Sequence, residues 1–150
     1  MIYDPILVRP MREELTRLGV TELVTADEVE EVLGSAHGTT LVVVNSVCGC
    51  AARNARPAVA IAMDHDVRPD RAVTVFAGQD IEATNRARDY FTGVPPSSPS
   101  IALIRDGELV FMMERNQIEG REASAIGQDL VGAFDEHCAP TERPADWPTV

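Results

Sequence analysis

The chain has 150 residues and a mass of 16.3 kDa, with 45% hydrophobic and 25% charged residues, so it can bury one core without disulfides or a structural metal. Its net charge of −11 disfavours nucleic acid and anionic membranes as partners, because the field of the protein repels both. All 13 basic residues are arginine, which excludes mechanisms that require a lysine.

The apolar runs are far shorter than the about 20 residues that a membrane-spanning helix needs. The first residues, MIYDP, have neither the basic start nor the apolar stretch of an export signal. These features predict a cytoplasmic protein. Thiols stay reduced there unless they are catalytic or bind metal, so Cys48, Cys50 and Cys138 need an explanation.

The N-terminal part of the chain predicts two amphipathic helices. The first begins with Pro10 at a first helical position and ends at Gly19. The second begins with a capping box at residues 25–28 (TADE) and ends near Gly38. Its apolar stripe comprises Val29, Val32, Leu33 and Ala36.

The middle of the chain alternates strand and helix. Residues 39–45 (TTLVVVN) form a continuous β-branched run, typical of a central strand that is covered on both faces. An alanine-rich helix is expected over residues 51–63, kinked but not ended by Pro57. A second buried strand over 72–77 and a helix over 81–91 follow, and a short crossover of this kind makes the two strands parallel.

The C-terminal part predicts a hairpin and a closing helix. A Pro/Ser-rich loop at 93–100 precedes strands at 101–104 and 109–113, which flank the turn signal Asp106-Gly107. The apolar face of the last helix comprises Ile126, Leu130, Ala133, Phe134 and His137. We therefore expect one α/β domain over residues 1–138, a small mixed sheet between two helical layers, and a Pro-rich tail over 139–150 that contains Trp147.

The pair Cys48-Gly49-Cys50 is the sharpest chemical feature. It follows the carboxyl end of the central strand, where open α/β sheets place their sites. It also opens a helix, whose free amide hydrogens favour a thiolate and lower its pKa. We expect Cys48 to be exposed and Cys50 to lie inside the first turn. Gly49 would let the sulfurs approach, and a disulfide across one residue would be strained and easily exchanged.

Two alternatives are open for these cysteines. They could be small apolar fillers, since free cysteine is among the most buried residue types. They could also bind metal, but structural zinc commonly needs two close ligand pairs, and the histidines are scattered at His37, His65 and His137. We therefore expect no metal site and no cofactor. Cys138 could be a resolving thiol, but packing is favoured.

Several stretches together resemble the bacilliredoxins, a thioredoxin-like family. They are residues 39–52 (TTLVVVNSVCGCAA), 73–80 (VTVFAGQD), 90–93 (YFTG), 96–100 (PSSPS) and 133–138 (AFDEHC). Long segments match in order, from about residue 1 to 138, so the resemblance is specific. The tail lies outside it.

The resemblance implies a thioredoxin-like fold and thiol–disulfide exchange. Cys48 corresponds to the cysteine that takes bacillithiol, or a similar low-molecular-weight thiol, from mixed disulfides on client proteins. Cys50 would resolve the adduct or form an internal disulfide, and modest disulfide isomerase activity is also implied. Pro99 matches the position of the cis-proline of thioredoxin-like proteins, although a trans turn proline is the alternative.

Residues around the pair complete the predicted site. We expect Ser46, Gly49, Ser98 and Pro99 to border the substrate. Ser46 and Asn45 could cap the helix, hydrogen-bond the thiolate or only end the strand. The sequence places no histidine as a base, so activation must come from the helix terminus.

Two other functions are open. A carrier could hold a metal or cluster with Cys48, Cys50 and ligands from a second copy of the chain. A thioredoxin-like interaction domain could carry vestigial cysteines, in which case the pKa of Cys48 would be ordinary, near 8.5.

Overall fold

A five-stranded mixed sheet runs through the centre of the computed structural model, which describes residues 3–35 and 37–138. In sheet order the strands are β1 (Thr21–Glu22), β3 (Arg71–Phe76), β2 (Thr39–Asn45), β4 (Ser100–Arg105) and β5 (Glu108–Met113). Strands β1 and β2 run parallel to β3, as expected for β2, whereas β4 and β5 are antiparallel to their neighbours.

Strand β2 separates two hydrophobic cores, since its seven residues are all buried. Leu41 and Val43 point into one core, and Val42 and Val44 into the other. The first core receives α1 (Pro5–Thr16), α3 (Arg56–Met63) and α6 (Ala123–His137). The second core receives α2 (Ala26–Leu33) and α4 (Ile81–Arg88). The predicted three-layer α/β/α architecture is therefore confirmed.

The hairpin between β4 and β5 turns at the predicted dipeptide. Asp106 has φ of 50° and Gly107 has φ of 84°. Two successive residues with positive φ form the turn that matches the right-handed twist of paired strands.

The N-terminal helices differ from the prediction at their ends. Helix α1 begins at Pro5, because Asp4 caps it by accepting the Ile6 amide at 2.9 Å, and Pro10 lies inside the helix. The capping box of α2 is present as predicted. This helix ends at Leu33 instead of near Gly38. Its last hydrogen bond is donated by the Gly34 amide to the Glu30 carbonyl. Ala36 is outside the described residues.

The helix after the cysteines is irregular in front of Pro57. Residues Ala51–Ala55 form a π-helical turn, closed by the Arg56 amide on the Ala51 carbonyl, and α3 follows directly. Proline has no amide hydrogen to donate to the preceding turn, so the α-helical hydrogen-bond pattern is interrupted in the turn before Pro57. The helix continues past Pro57, as predicted. Helix α4 ends at Arg88, earlier than expected, and residues 89–91 form a turn.

Two short elements were not predicted, β1 and the one-turn helix α5 (Arg115–Ile118). Among the described residues, no helix is long and apolar enough to cross a membrane. The tail over 139–150, with Trp147, is outside the described residues.

Candidate active site

The loop that carries the cysteines is held from below by a chain of hydrogen bonds. Asn45 donates through Nδ2 to the Met11 carbonyl at 3.1 Å, and its Oδ1 accepts the Ser46 amide at 2.9 Å. The Ser46 hydroxyl accepts the Cys48 amide at 2.9 Å. Ser46 is 6% exposed, and its hydroxyl positions the loop through the Cys48 amide; that it also borders the substrate stays a prediction.

A buried arginine closes this network. Arg56 donates through Nη1 to Asn45 Oδ1 and to the Ser46 carbonyl, both at 3.0 Å. Its Nε donates to Glu14 Oε2 at 2.7 Å. The guanidinium therefore fixes the end of β2 from α3, and the charge is paired, as a buried charge must be.

Cys48 lies at the opening of the helix. Its carbonyl accepts the amides of Ala51 at 3.0 Å and Ala52 at 3.2 Å, which begins the helical pattern. Its sulfur accepts the Cys50 amide at 3.3 Å. The thiol thus faces free amide hydrogens at the start of a helix, as the sequence predicts.

These contacts lower the pKa of Cys48. Burial alone would raise this pKa, but hydrogen bonds from the Cys50 amide and thiol, together with the positive charge of Arg115, outweigh the burial. A thiol in this setting forms the nucleophilic thiolate more readily than an ordinary cysteine.

Cys50 differs from the prediction, because it is partly exposed like Cys48. Its sulfur lies 3.7 Å from Glu119 Oε2. The pKa of Cys50 is raised by burial, by its hydrogen bond to Cys48 and by the negative charges of Cys48 and Glu119. The two thiols are therefore shifted in opposite directions, which separates one ready nucleophile from one protonated partner.

Arg115, in helix α5, connects the proline loop to the cysteines. Its amide donates to Ser97 Oγ at 3.2 Å, and its Nη1 donates to the Ser98 carbonyl at 3.3 Å. Its Nε lies 3.0 Å from Glu119 Oε2. One guanidinium thus contacts the loop before β4 and the carboxylate beside Cys50, and its charge favours the Cys48 thiolate.

The loop before β4 has the conformation that the resemblance implies. The Ser98–Pro99 peptide bond is cis, and Pro99 is buried. Arg88 donates through Nη2 to the Ser97 carbonyl at 3.2 Å. Two arginines, Arg88 and Arg115, therefore hold successive carbonyls of this loop.

Gly49 lies against the end of the flexible Arg53 side chain, a contact that the sequence did not suggest. It does not have a positive φ, but the Arg53 side chain lies against it. A Cβ at this position would be 2.8 Å from Arg53 Nη2. Glycine therefore leaves room for a cation next to the cysteine pair.

Sequence reasoning missed the charged residues of the site, among them Arg56, Arg115 and Glu119. Two signals for α5 were present in the sequence. Glu114 and Gln117 form a capping box, and Arg115 and Glu119 are spaced as an i,i+4 ion pair. Nothing in the sequence pattern indicates that Arg56 turns toward Asn45.

The remaining candidates lie apart from the pair. In the part of the chain that the structure describes, no group of three or more His, Cys, Asp and Glu side chains could hold a metal ion. A metal carrier would therefore need further ligands from elsewhere, such as a second copy. His65 pairs with Asp135 and His137 with Glu136. Cys138 is 3% exposed in the core beside α3 and α6, which favours packing.

Comparisons with known proteins identify the family of the chain. The model of a family described as disulphide isomerase matches residues 3–138. A bacilliredoxin of Salinibacter ruber is 58% identical over 99% of this chain and 89% of its own length. A bacilliredoxin of Koribacter versatilis is 55% identical over 93% of this chain and 97% of its own.

Solved structures share the fold at low sequence identity. The thioredoxin of Malassezia sympodialis superposes with a TM-score of 0.55 at 15% identity, covering 80% of this chain and 91% of that one. Another structure described as having a thioredoxin fold gives a TM-score of 0.56 at 20% identity, covering 73% and 91%. The fold and the family together assign the chain to the thiol–disulfide oxidoreductases. The chain belongs to the disulphide isomerase family, whose members include the bacilliredoxins.

Proposed function

We propose that the chain removes a low-molecular-weight thiol, bacillithiol by family resemblance, from mixed disulfides on client proteins in the cytoplasm. One observation carries the proposal. The Cys48 sulfur accepts the Cys50 amide at 3.3 Å at the opening of a helix, and the charge of Arg115 acts on the same sulfur. These groups stabilise a thiolate, and the thiolate is the attacking species in disulfide exchange.

In the first step, the Cys48 thiolate attacks the sulfur of the small thiol. A disulfide forms between Cys48 and the small thiol, and the bond to the client breaks. The client's sulfur leaves as a thiolate and takes a proton, so its free cysteine is restored. Cys48 is the better nucleophile of the pair because its pKa is lowered while that of Cys50 is raised.

In the second step, the Cys50 sulfur loses its proton and attacks the Cys48 sulfur of the adduct. The small thiol leaves with the electron pair of the broken bond, and a Cys48–Cys50 disulfide forms. A thiol reductant must then reduce this disulfide to complete the cycle. If Cys48 attacks the client's own sulfur instead, the same pair can rearrange disulfides, which is the implied isomerase activity.

We also propose that Gly49, Ser98 and Pro99 border the substrate. The support is Arg115, which contacts the Ser98 carbonyl and acts electrostatically on Cys48, so the proline loop and the cysteines share one side chain. A client segment lying between them would present its disulfide to the Cys48 sulfur.

The test uses the reduced protein and a client that carries a bacillithiol mixed disulfide. Release of the small thiol is followed by mass spectrometry. Cys48→Ser should abolish release, and Cys50→Ser should restore the client but retain the adduct on Cys48. Cys138→Ala is the matched control and should behave as the wild type. Release by Cys48→Ser at the wild-type level would show that Cys48 is not the nucleophile.

A further inference from the structure

The Cys50 thiol has one proton and two acceptors within reach. It hydrogen-bonds to the Cys48 sulfur, and its own sulfur lies 3.7 Å from Glu119 Oε2. In the reduced protein the Cys48 thiolate is one of these acceptors. Once Cys48 carries an adduct, its sulfur is a neutral disulfide sulfur, and Glu119 is the anionic acceptor that remains beside Cys50.

Glu119 is held in place for this contact. Arg115 Nε lies 3.0 Å from Glu119 Oε2, and Arg115 is itself fixed on Ser97 and Ser98. The hydrogen bond and charge of Arg115, and then the Cys50 thiol, lower the pKa of Glu119, which keeps its carboxylate ionised beside Cys50. Its side chain is 56% exposed, so an accepted proton can pass on to water.

We propose that Glu119 is a catalytic residue of the second step, the base that takes the Cys50 proton while Cys50 attacks the Cys48 adduct. The inference rests on the function proposed above. The Cys50 S–H bond breaks, its proton goes to Glu119 Oε2, and the sulfur forms the bond to the Cys48 sulfur. The small thiol leaves as a thiolate and takes up a proton, which Glu119 or water supplies. Cys50 is oxidised from a thiol to a disulfide sulfur, the small thiol is reduced, and Cys48 remains a disulfide sulfur throughout the step.

A purely electrostatic role for Glu119 predicts the opposite result. The negative charge of Glu119 raises the pKa of Cys50, so removing that charge alone would increase the Cys50 thiolate fraction and accelerate the second step. A base that accepts the proton during the attack accelerates the step instead, and its removal slows it. The sign of the effect therefore separates the two roles.

The experiment mixes the reduced protein with one equivalent of dithiodipyridine, which releases a coloured thione at each step. The first phase reports the attack by Cys48 and the second reports the attack by Cys50; Cys50→Ser should show the first phase alone. Glu119→Gln should leave the first phase within a few-fold of wild type. It should slow the second phase by about tenfold or more, less than the roughly 100-fold or greater effect that is typical of acid–base catalysis, because the lowered pKa makes Glu119 a weak base.

Two variants complete the test. Glu119→Asp keeps the carboxylate but withdraws it by one methylene, and should give an intermediate second phase. Glu122→Gln removes the same charge from an exposed glutamate whose side chain does not cap helix α6, and should react as the wild type. A second phase in Glu119→Gln that is unchanged or faster would overturn the inference. Absence of any first phase in the wild type would instead refute the proposed role of Cys48.

Discussion

Arg56 Nη1 lies 3.0 Å from Asn45 Oδ1, which ties a guanidinium in α3 to the last residue of β2. The same nitrogen donates to the Ser46 carbonyl, so one atom holds both side chain and backbone directly ahead of the cysteine loop. Arg56 is 3% exposed, whereas its ionic partner Glu14 is 38% exposed. The ion pair beneath the cysteine loop therefore has a buried cation, Arg56, and a partly exposed anion, Glu14.

Arg56→Met should lower the free energy of unfolding by about 2–4 kcal/mol, because it leaves buried acceptors on Asn45 and Ser46 without a donor. The loss of stability is not larger because the partly exposed Glu14 carboxylate can be solvated by water when Arg56 is removed. Urea denaturation measures the change. The rate of Cys48 alkylation should also differ from that of the wild type, because the cysteine loop loses the hydrogen bonds that Arg56 donates to Asn45 and Ser46.

A matched control distinguishes the loop from overall stability. Thr25→Ala removes the side-chain cap of α2, where Thr25 accepts the Glu28 amide at 3.1 Å, and should cost about 1 kcal/mol. It should not alter alkylation of Cys48. An Arg56→Met protein as stable as the wild type would contradict the proposed role of the network.

Arg115→Met should raise the pKa of Cys48, because the charge that favours its thiolate is removed. The midpoint of Cys48 alkylation by iodoacetamide should therefore move to higher pH. A lowered thiol pKa contributes stability above the pKa of the unfolded thiol and loses it as pH falls through the folded value. The stability difference between this variant and the wild type should therefore shrink as the pH falls.

Arg121→Met is the matched control for this change. Arg121 pairs with Asp129 at 2.8 Å and is not among the groups that shift the pKa of Cys48. Its alkylation profile should coincide with that of the wild type. An unchanged midpoint in Arg115→Met would refute the electrostatic role of Arg115.

Cys138 should react only when the protein unfolds, because its side chain is buried in the core with Phe134 and Leu130. Under native conditions, peptide mapping after alkylation should find Cys48 labelled and Cys138 unlabelled. Cys138→Ala should retain the release of the small thiol at the wild-type rate. A loss of release in this folded variant would make Cys138 a resolving thiol.

The sequence predicts the elements whose pattern is local and strong. The β-branched run of β2, the capping box at Thr25 and Glu28, and the turn at Asp106 each specify one conformation through neighbouring residues. The start of α1 was misplaced because Pro10 resembles a first helical residue, whereas Asp4 and Pro5 supply the actual cap.

The sequence predicts the position of the cysteines in the site, but it does not predict which charged side chains contact them. The position of Cys48 after a central strand follows from the order of elements along the chain. The contacts of Arg56 with Asn45 and of Glu119 with Cys50 join residues 11 and 69 positions apart. Such contacts depend on how helices pack and on the length of flexible side chains, and neither leaves a periodic signal in the sequence.

The central claim is that Cys48 ionises before Cys50. The most direct test is the rate of iodoacetamide alkylation at each cysteine of the reduced protein, followed by peptide mass spectrometry across a pH series. The account predicts a midpoint for Cys48 that is lowered from that of an ordinary thiol and lies below that of Cys50. A Cys48 midpoint equal to or above that of Cys50 would contradict it.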